Sequence, residues 1–513
     1  MAIITSPPKH FFICPLPVWG HLRPGISLIP NILRRHGNAY ITILIPFIHA
    51  IPAAREFERY GTDAEELNFK ERVKVIHYGE GEKKVHAKTG MEEMDPYLKT
   101  VGAAMSEIYP KILDHEPVLD KLTQAEIEPF NVKPDVAILD IGVCLTSLAF
   151  VCECNKERDL KISTVMFSPT GSQHAAWAFV DDPRLPWDSY ATRAKKIVAA
   201  PESEKDKVYN EVLGENEDVV QIVDSSPIYV FEAQPIQPDM FYGYALGVMP
   251  TLPLATALVH AWPAFMGQGY KKVMADLGTT VLQIGAQLPD QSKNQTHLDD
   301  GPLKSFMDRA LLEKGKNSVV YISFGTLLFP AKKRQLSILL DVLIALEIRF
   351  VLAQGIAPQE IQAMAKEKID AANGTGIYVD WAPQFGILGH EATGWFLTHG
   401  GSNSTMEGLR MRVPMLSWPC DADQVWIANS LSSIHGAGYE FLQIRNGPSV
   451  RRTTYSGVKV EGTDEAIRKE FEDVFGGLEG DFGKKLRKGV ERVGRQMDED
   501  PLTEEDWGKL IAL

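Results

Sequence analysis

Short β-branched runs separated by helix-length segments recur along this chain, and that rhythm restricts it to a small set of folds. HFFICPL (from His10), YITILIP (from Tyr40), RVKVIHY (from Arg72), DVAILD (from Asp135) and KISTVMF (from Lys161) are each bounded by Gly, Pro or charge. Continuous apolar runs of this length predict strands buried on both faces, with the intervening segments as helices that cover them. From about Thr170 to Pro250 the rhythm fails; this part is rich in Trp, Pro, Tyr and Met, with one charged helical piece from Ser203 to Leu213. TALVHAWPAF and TTVLQIG then restore two strands. Ala286 to Pro302 is polar and without period, which predicts a linker. A second series follows in SVVYIS, IRFVLA, GIYV, WFLT and VPMLS, with the amphipathic LSILLDVLIALEI between the first two. The expected fold class is α/β: two doubly wound parallel-sheet domains facing across a cleft, with ligands at the carboxyl ends of the strands.

Bulk properties narrow the function classes. A length of 513 residues with 44% apolar and 23% charged content fits two or three globular domains. A formal charge of −14 argues against a nucleic-acid partner, because phosphate backbones are bound by basic surfaces. The five cysteines (Cys14, Cys144, Cys152, Cys154, Cys420) are odd in number and mostly in apolar surroundings. That pattern predicts free thiols in a reducing compartment. Cys152-Glu-Cys154 could be half a metal site, but no second Cys or His pair at a suitable spacing completes it. The first residues do not read as a signal peptide, and no run reaches the roughly 18 apolar residues of a membrane span. A cytoplasmic protein with no membrane span is expected, and a monomer.

The densest stretch of chemistry runs from Trp381 to Gln424, WAPQFGILGHEATGWFLTHGGSNSTMEGLRMRVPMLSWPCDADQ. Within it, Trp395 to Thr398 predicts a strand, His399-Gly400-Gly401 a turn, and Ser402 to Arg412 a helix. The first turn of a helix has N–H groups without intrahelical partners, so a strand, a Gly-rich turn and a helix tip together suit an anion. Asn403 and Ser404 add side-chain donors of the kind a pyrophosphate needs.

This stretch resembles the signature box of the plant-type, family 1 UDP-dependent glycosyltransferases. Trp381, Pro383, Gln384, His399, Gly401, Asn403, Ser404, Glu407, Pro414, Asp423 and Gln424 fall on its characteristic positions without a gap. Ser402 departs from it, standing beside the sugar where that family usually has Trp. The resemblance implies the GT-B fold, two Rossmann-like domains with a C-terminal helix crossing back to the first. It implies an N-terminal acceptor-binding domain over 1–285, a linker over 286–302, a UDP-sugar domain over 303–490 and the returning helix over 491–513. It also implies roles. Trp381 would stack on uracil, with Ala382 and Gln384 contacting base and ribose. His399, Gly401, Asn403 and Ser404 would meet the diphosphate, with Ser402 beside the sugar. Gly325 and Thr326 in YISFGTLL match the family's second phosphate turn. Glu407 would accept from the ribose hydroxyls, its rival role being a capping box with Ser404. Asp423 and Gln424 would bond the sugar, and a closing Gln accompanies glucose in relatives. UDP-glucose is therefore the expected co-substrate, with no further cofactor.

Glycosyl transfer needs a base for the acceptor proton and a partner that steadies the base. His21, in CPLPVWGHLRPGISLIP, lies between the first strand and a helix, and Gly20-His21-Leu22-Arg23-Pro24 keeps the family's Gly-His turn. It can be read as a helix-capping residue or as the base, and an imidazole titrating near neutral pH suits the second task. Asp140 ends the strand DVAILD. An acid in an apolar run needs a partner, and it can cap the next helix or hold His21 in one tautomer. Asp421-Ala422-Asp423 spells a metal-binding D-x-D of a different fold. Here it closes a box whose phosphate donors are hydroxyls, amides and a helix tip, so no metal is expected. Trp177, Phe179, Trp187, Phe241 and Tyr242 suggest an aromatic acceptor wall. The expected activity is inverting transfer of glucose to a hydroxyl of a small lipophilic or phenolic acceptor. The competing readings are a sugar-nucleotide epimerase or hydrolase, and a non-catalytic nucleotide-sugar-binding protein.

Overall fold

The computed structural model describes residues 7–80, 91–234, 246–288, 298–326, 329 and 332–513, apart from the side chains of residues 62, 63 and 91–95. Phe241, Tyr242 and most of the expected linker lie outside the described residues. The chain divides into two compact units, described separately. Unit 1 comprises Met1–Ser172, Met240–Lys293 and Asp500–Leu513, and unit 2 comprises Gln173–Asp239 and Asn294–Glu499.

Unit 1 is built on a seven-stranded parallel sheet. In chain order its strands are β1 (Lys9–Cys14), β2 (Ala39–Pro46), β3 (Val73–Tyr78), β4 (Val136–Asp140), β5 (Ser163–Ser168), β6 (Ala257–His260) and β7 (Val281–Gln283). They lie side by side as β7-β6-β5-β4-β1-β2-β3. Each expected run of the first series became a strand, and those apolar on both faces are buried, as all five residues of β4 are. The partly exposed β3 takes the edge. The order doubles back between β1 and β4, with Cys14 in register with Leu139. Connections leave such a switch point in opposite directions and open a crevice at the carboxyl ends.

Unit 2 carries six parallel strands: β8 (Val319–Ser323), β9 (Arg349–Ala353), β10 (Gly376–Val379), β11 (Thr393–Thr398), β12 (Met415–Ser417) and β13 (Gly438–Glu440). Their order is β10-β9-β8-β11-β12-β13, so this sheet switches between β8 and β11. There Ser323 is in register with Thr398. The amphipathic helix Lys333–Ala345 buries Leu336, Leu339, Leu340 and Leu343 against β8 and β9.

Two features differ from the sequence reading. Residues 173–239 cluster with unit 2 and not with the first domain. Their helix Ser172–Phe179 places Trp177 against Trp426, ring centres 5.4 Å apart, and Gln173 Nε2 donates to Ser430 Oγ at 3.4 Å. The expected single helix over 491–513 is two helices, Asp481–Asp498 and Pro501–Ala512. Pro501 lacks an N–H and its ring would clash with the preceding turn, so the helix stops. Asp500 caps the next one, accepting from Leu502 N and Thr503 N. Only this last helix joins unit 1. The wholly buried Asp506 receives Lys271 Nζ at 2.6 Å and Gln283 N at 2.9 Å, and Trp507 enters the core.

Candidate active site

In unit 1 the loop after β1 runs directly into helix Trp19–Arg35, with His21 in its first turn. The neighbouring β4 ends in Asp140, which is the N-cap of helix Ile141–Glu157. Asp140 Oδ1 accepts from Gly142 N at 2.9 Å, and Oδ2 accepts from His21 Nδ1 at 2.9 Å. Asp140 therefore caps the helix with one oxygen and meets the His21 ring with the other. Gly142 itself packs closely on the Leu16 side chain, where a Cβ would meet Cδ1 at 2.8 Å. The Asp140 side chain is fully buried, whereas the His21 ring keeps 23% of its exposure. A carboxylate accepting from Nδ1 selects the tautomer whose Nε2 is basic, and it stabilises the imidazolium formed on proton uptake. Burial pushes the Cys14 and Cys144 thiols and the Tyr78 phenol well up, with the Asp140 charge adding to the effect. These neighbours stay protonated at neutral pH and offer no competing base.

In unit 2 the turn after β8 meets the turn after β11. Gly325 adopts φ +76° and packs closely on the His399 imidazole, where a Cβ would come within 2.6 Å of Cε1. Gly401 covers the ring too; a Cβ there would stand 2.5 Å from Nε2. Two glycines distant in sequence thus clasp one ring. Burial lowers the His399 pKa to about 4, against a smaller opposing hydrogen bond with the Ser323 backbone. The imidazole is neutral at physiological pH and can donate an N–H without taking up a proton.

Helix Ser402–Arg410 begins at Gly401, and no side chain caps it. Its own first turn holds no acid to offset the positive end of the helix dipole. Because the N-cap is Gly401, Ser404 and Glu407 do not form the alternative capping box. Gln384 is instead the centre of a small network. Its Oε1 accepts from Tyr321 Oη at 3.1 Å, and its Nε2 donates to Ser404 Oγ at 3.2 Å and to Glu407 Oε2. Glu407 is fully buried and Ser404 nearly so. Tyr321 was missed by the sequence reading, although a Tyr within the aliphatic run SVVYIS is a signal, because a buried hydroxyl needs a partner.

The remaining positions lie around these turns. Trp381, just after β10, is 65% exposed and presents a ring for stacking, with Ala382 beside it. Thr326 follows Gly325, and Ser402 and Asn403 open the helix. Asp423 and Gln424, both buried, start helix Gln424–Asn429. Gln424 Oε1 accepts from Cys420 N at 2.8 Å and Asp421 N at 3.2 Å, which makes its amide NH2 the group able to meet a hydroxyl. Trp177 and Phe179, offered as acceptor-wall residues, are both buried, and Trp177 packs on Trp426 within unit 2. Among the described residues no three His, Cys, Asp or Glu converge as a metal-ligand set, and no helix is long and apolar enough to cross a membrane.

Known proteins resemble the chain in sequence and in fold. Residues 295–445 match the family described as UDP-glucoronosyl and UDP-glucosyl transferase. The chain is 26% identical over 488 residues to UDP-glycosyltransferase eriJ of Hericium erinaceus, covering 91% of this chain and 90% of that one. It is 32% identical over 208 residues to a beta-D-glucosyl crocetin beta-1,6-glucosyltransferase of Gardenia jasminoides, covering 39% and 45% of the two chains. Among solved structures, Medicago truncatula UGT71G1 complexed with UDP-glucose superposes with a TM-score of 0.69 at 18% identity, over 100% of this chain and 99% of that one.

Proposed function

We propose, from the premise that this chain is a UDP-glycosyltransferase with the GT-B fold, that it moves glucose from UDP-glucose to a small-molecule hydroxyl with inversion. The observation that carries this reading is the His21 Nδ1–Asp140 Oδ2 bond of 2.9 Å at the switch point of the first sheet. His21 Nε2 takes the acceptor proton as the hydroxyl oxygen bonds to the anomeric carbon. The bond from that carbon to the diphosphate oxygen breaks, and UDP departs with the electron pair. The leaving charge is met by donors held ready before the reaction: the tip of helix Ser402–Arg410, the neutral His399, Asn403 and Ser404. This donor set stabilises a diphosphate without a divalent ion, so the reaction is metal-independent.

On the donor side, Trp381 stacks on uracil, Ala382 and Gln384 read base and ribose, and Gly325 and Thr326 line the second phosphate turn. Glu407 accepts from the ribose, with Gln384 fixing its carboxylate. Asp423 and the Gln424 amide hold the sugar hydroxyls, and Ser402 stands beside the sugar. The UDP-glucose bound by UGT71G1 supports glucose as the sugar. Five free cysteines support a cytoplasmic setting. The acceptor is a lipophilic or phenolic alcohol, and the protein acts as a monomer.

The test is incubation of the full chain with UDP-glucose and a panel of phenols, sterols and lipid alcohols, with the product's anomeric proton read by NMR. A β-glucoside with stoichiometric UDP is expected. UDP release at an equal rate without acceptor would favour a hydrolase, and binding without turnover would favour a nucleotide-sugar-binding protein.

A further inference from the structure

The strand β8 carries a tyrosine at its centre, Tyr321, that is only 1% exposed. It is in register with Phe396 of β11, and the two rings stack with centres 5.0 Å apart and planes 12° apart. Cross-strand stacking of this kind holds the ring in one orientation. The hydroxyl is thereby carried to the Gln384 side chain, and it donates to Oε1 at 3.1 Å. The phenol also bonds the Ser323 side chain, two residues on along the same face of the strand.

The bonds beyond Tyr321 have one direction. Glu407 is wholly buried, and a carboxylate only accepts, so the Gln384 amide turns its NH2 group to Glu407 Oε2. The second amide proton goes to Ser404 Oγ at 3.2 Å. With both N–H groups spent on that side, Oε1 faces β8 and the Tyr321 hydroxyl must be the donor there. A reversed amide would set its oxygen against the Glu407 carboxylate, two acceptors with no proton between them. Ser404 and Glu407 lie three residues apart on one face of helix Ser402–Arg410, so a single amide spans both. Holding one carboxylate oxygen fixes the plane of the Glu407 group, and thereby the direction its other oxygen faces. Gln384 Oε1 keeps a second lone pair for a ribose hydroxyl.

We propose that Tyr321 is a positioning residue for nucleotide choice: through Gln384 its hydroxyl sets the Glu407 carboxylate against the ribose hydroxyls, so that a ribonucleoside diphosphate is preferred over its 2′-deoxy counterpart. The inference rests on the donor-site reading above and deepens it, by assigning part of ribose recognition to a buried residue that acts through another. Without the Tyr321 bond the Gln384 amide can turn and the Glu407 carboxylate loses its fixed plane. Hydrogen bonds weaken steeply with misalignment, so the advantage of a ribose hydroxyl shrinks.

Calorimetry on the full chain with UDP and 2′-deoxy-UDP tests it. The wild type is expected to bind UDP about tenfold more tightly, the worth of one hydrogen bond to a charged group. Tyr321→Phe keeps the ring and its stack on Phe396 and removes only the hydroxyl. The preference is expected to fall at least about threefold in this variant, chiefly through weaker UDP binding, and to fall likewise in Gln384→Ala. A substitution that merely weakens the fold lowers both affinities together and leaves their ratio. A ratio unmoved by Tyr321→Phe would therefore overturn the assignment. A wild type that binds both nucleotides equally would sink the ribose role of Glu407 and the Tyr321 relay with it. No binding of UDP at all would reach further, to the donor site as a whole.

Discussion

Asp140→Asn separates the two jobs that Asp140 does at once. An amide oxygen still accepts from Gly142 N, so the helix cap survives, but the carboxylate that steadies a protonated His21 is gone. The expected outcome is a kcat reduced by about 10²–10⁴-fold with an unchanged unfolding midpoint. Loss of folding without a specific loss of rate would assign Asp140 to capping alone. Both residues were legible in the sequence because each broke a local rule: a His in a Gly-His turn before a helix, and an acid inside the apolar run DVAILD. The clasp around His399 was not legible. Gly325 and Gly401 each read as a phosphate turn, and only the register of Ser323 with Thr398 shows that both enclose the same imidazole. The Tyr321–Gln384–Glu407 chain was hidden for a similar reason, since its members come from a strand and two helices.

At the scale of elements, the proposed site lies on turns and helix tips where an added methyl finds little room. Gly401 has an ordinary φ of −63°, so Gly401→Ala introduces no backbone strain and acts only through the methyl pressed 2.5 Å from His399 Nε2. UDP affinity is expected to fall at least about tenfold, roughly 1.4 kcal/mol, as read by calorimetry; unchanged affinity would mean the ring does not define the phosphate turn. Gly325→Ala is expected to lose more, because its φ of +76° adds left-handed strain to the same clash. The fold's elements were largely readable, since every apolar run named in both series became a strand. The strand β13 was not, because its Gly-Tyr-Glu is too short to show alternation. The break before Pro501 sat in plain view as a proline inside a charged helical pattern. What composition could not show is where that last helix docks, which depends on the buried Asp506. Asp506→Ala leaves Gln283 N unpartnered and Lys271 without its anion, and is expected to lower the stability of unit 1 by roughly 2–3 kcal/mol in urea unfolding. An unaltered midpoint would show that the helix is held by apolar contacts alone.

For the molecule as a whole, buried histidines predict a loss of stability toward acid pH. Burial holds His10, His174, His399 and His435 at pKa values of about 4, below the ordinary 6.5, with the Arg492 charge assisting at His435. The unfolded chain takes up these protons near pH 6.5 and the folded chain does not until about pH 4. Their contribution is complete above pH 6.5 and is lost as the pH falls through that window. Glu470 works in the opposite sense. Burial raises it to about 7 despite bonds from Leu442 N and Gln443 N, so its contribution is present below about pH 4.5 and is lost as the pH rises toward 7. The lowered histidines, His36 and His49 among them, outnumber the raised carboxyls Glu470 and Glu232 and predict a urea midpoint that falls from pH 7 to pH 5, and falls more steeply in Glu470→Gln. A midpoint independent of pH would contradict the neutral burial of these rings. The division of labour between the units is tested most directly by one comparison, UDP binding against transfer in His21→Ala. Calorimetry is expected to give a UDP dissociation constant within twofold of the wild type, while single-turnover transfer from UDP-glucose falls at least about 10²-fold. Retained transfer, or a collapse of UDP affinity, would contradict the assignment of His21 as the base that serves the acceptor.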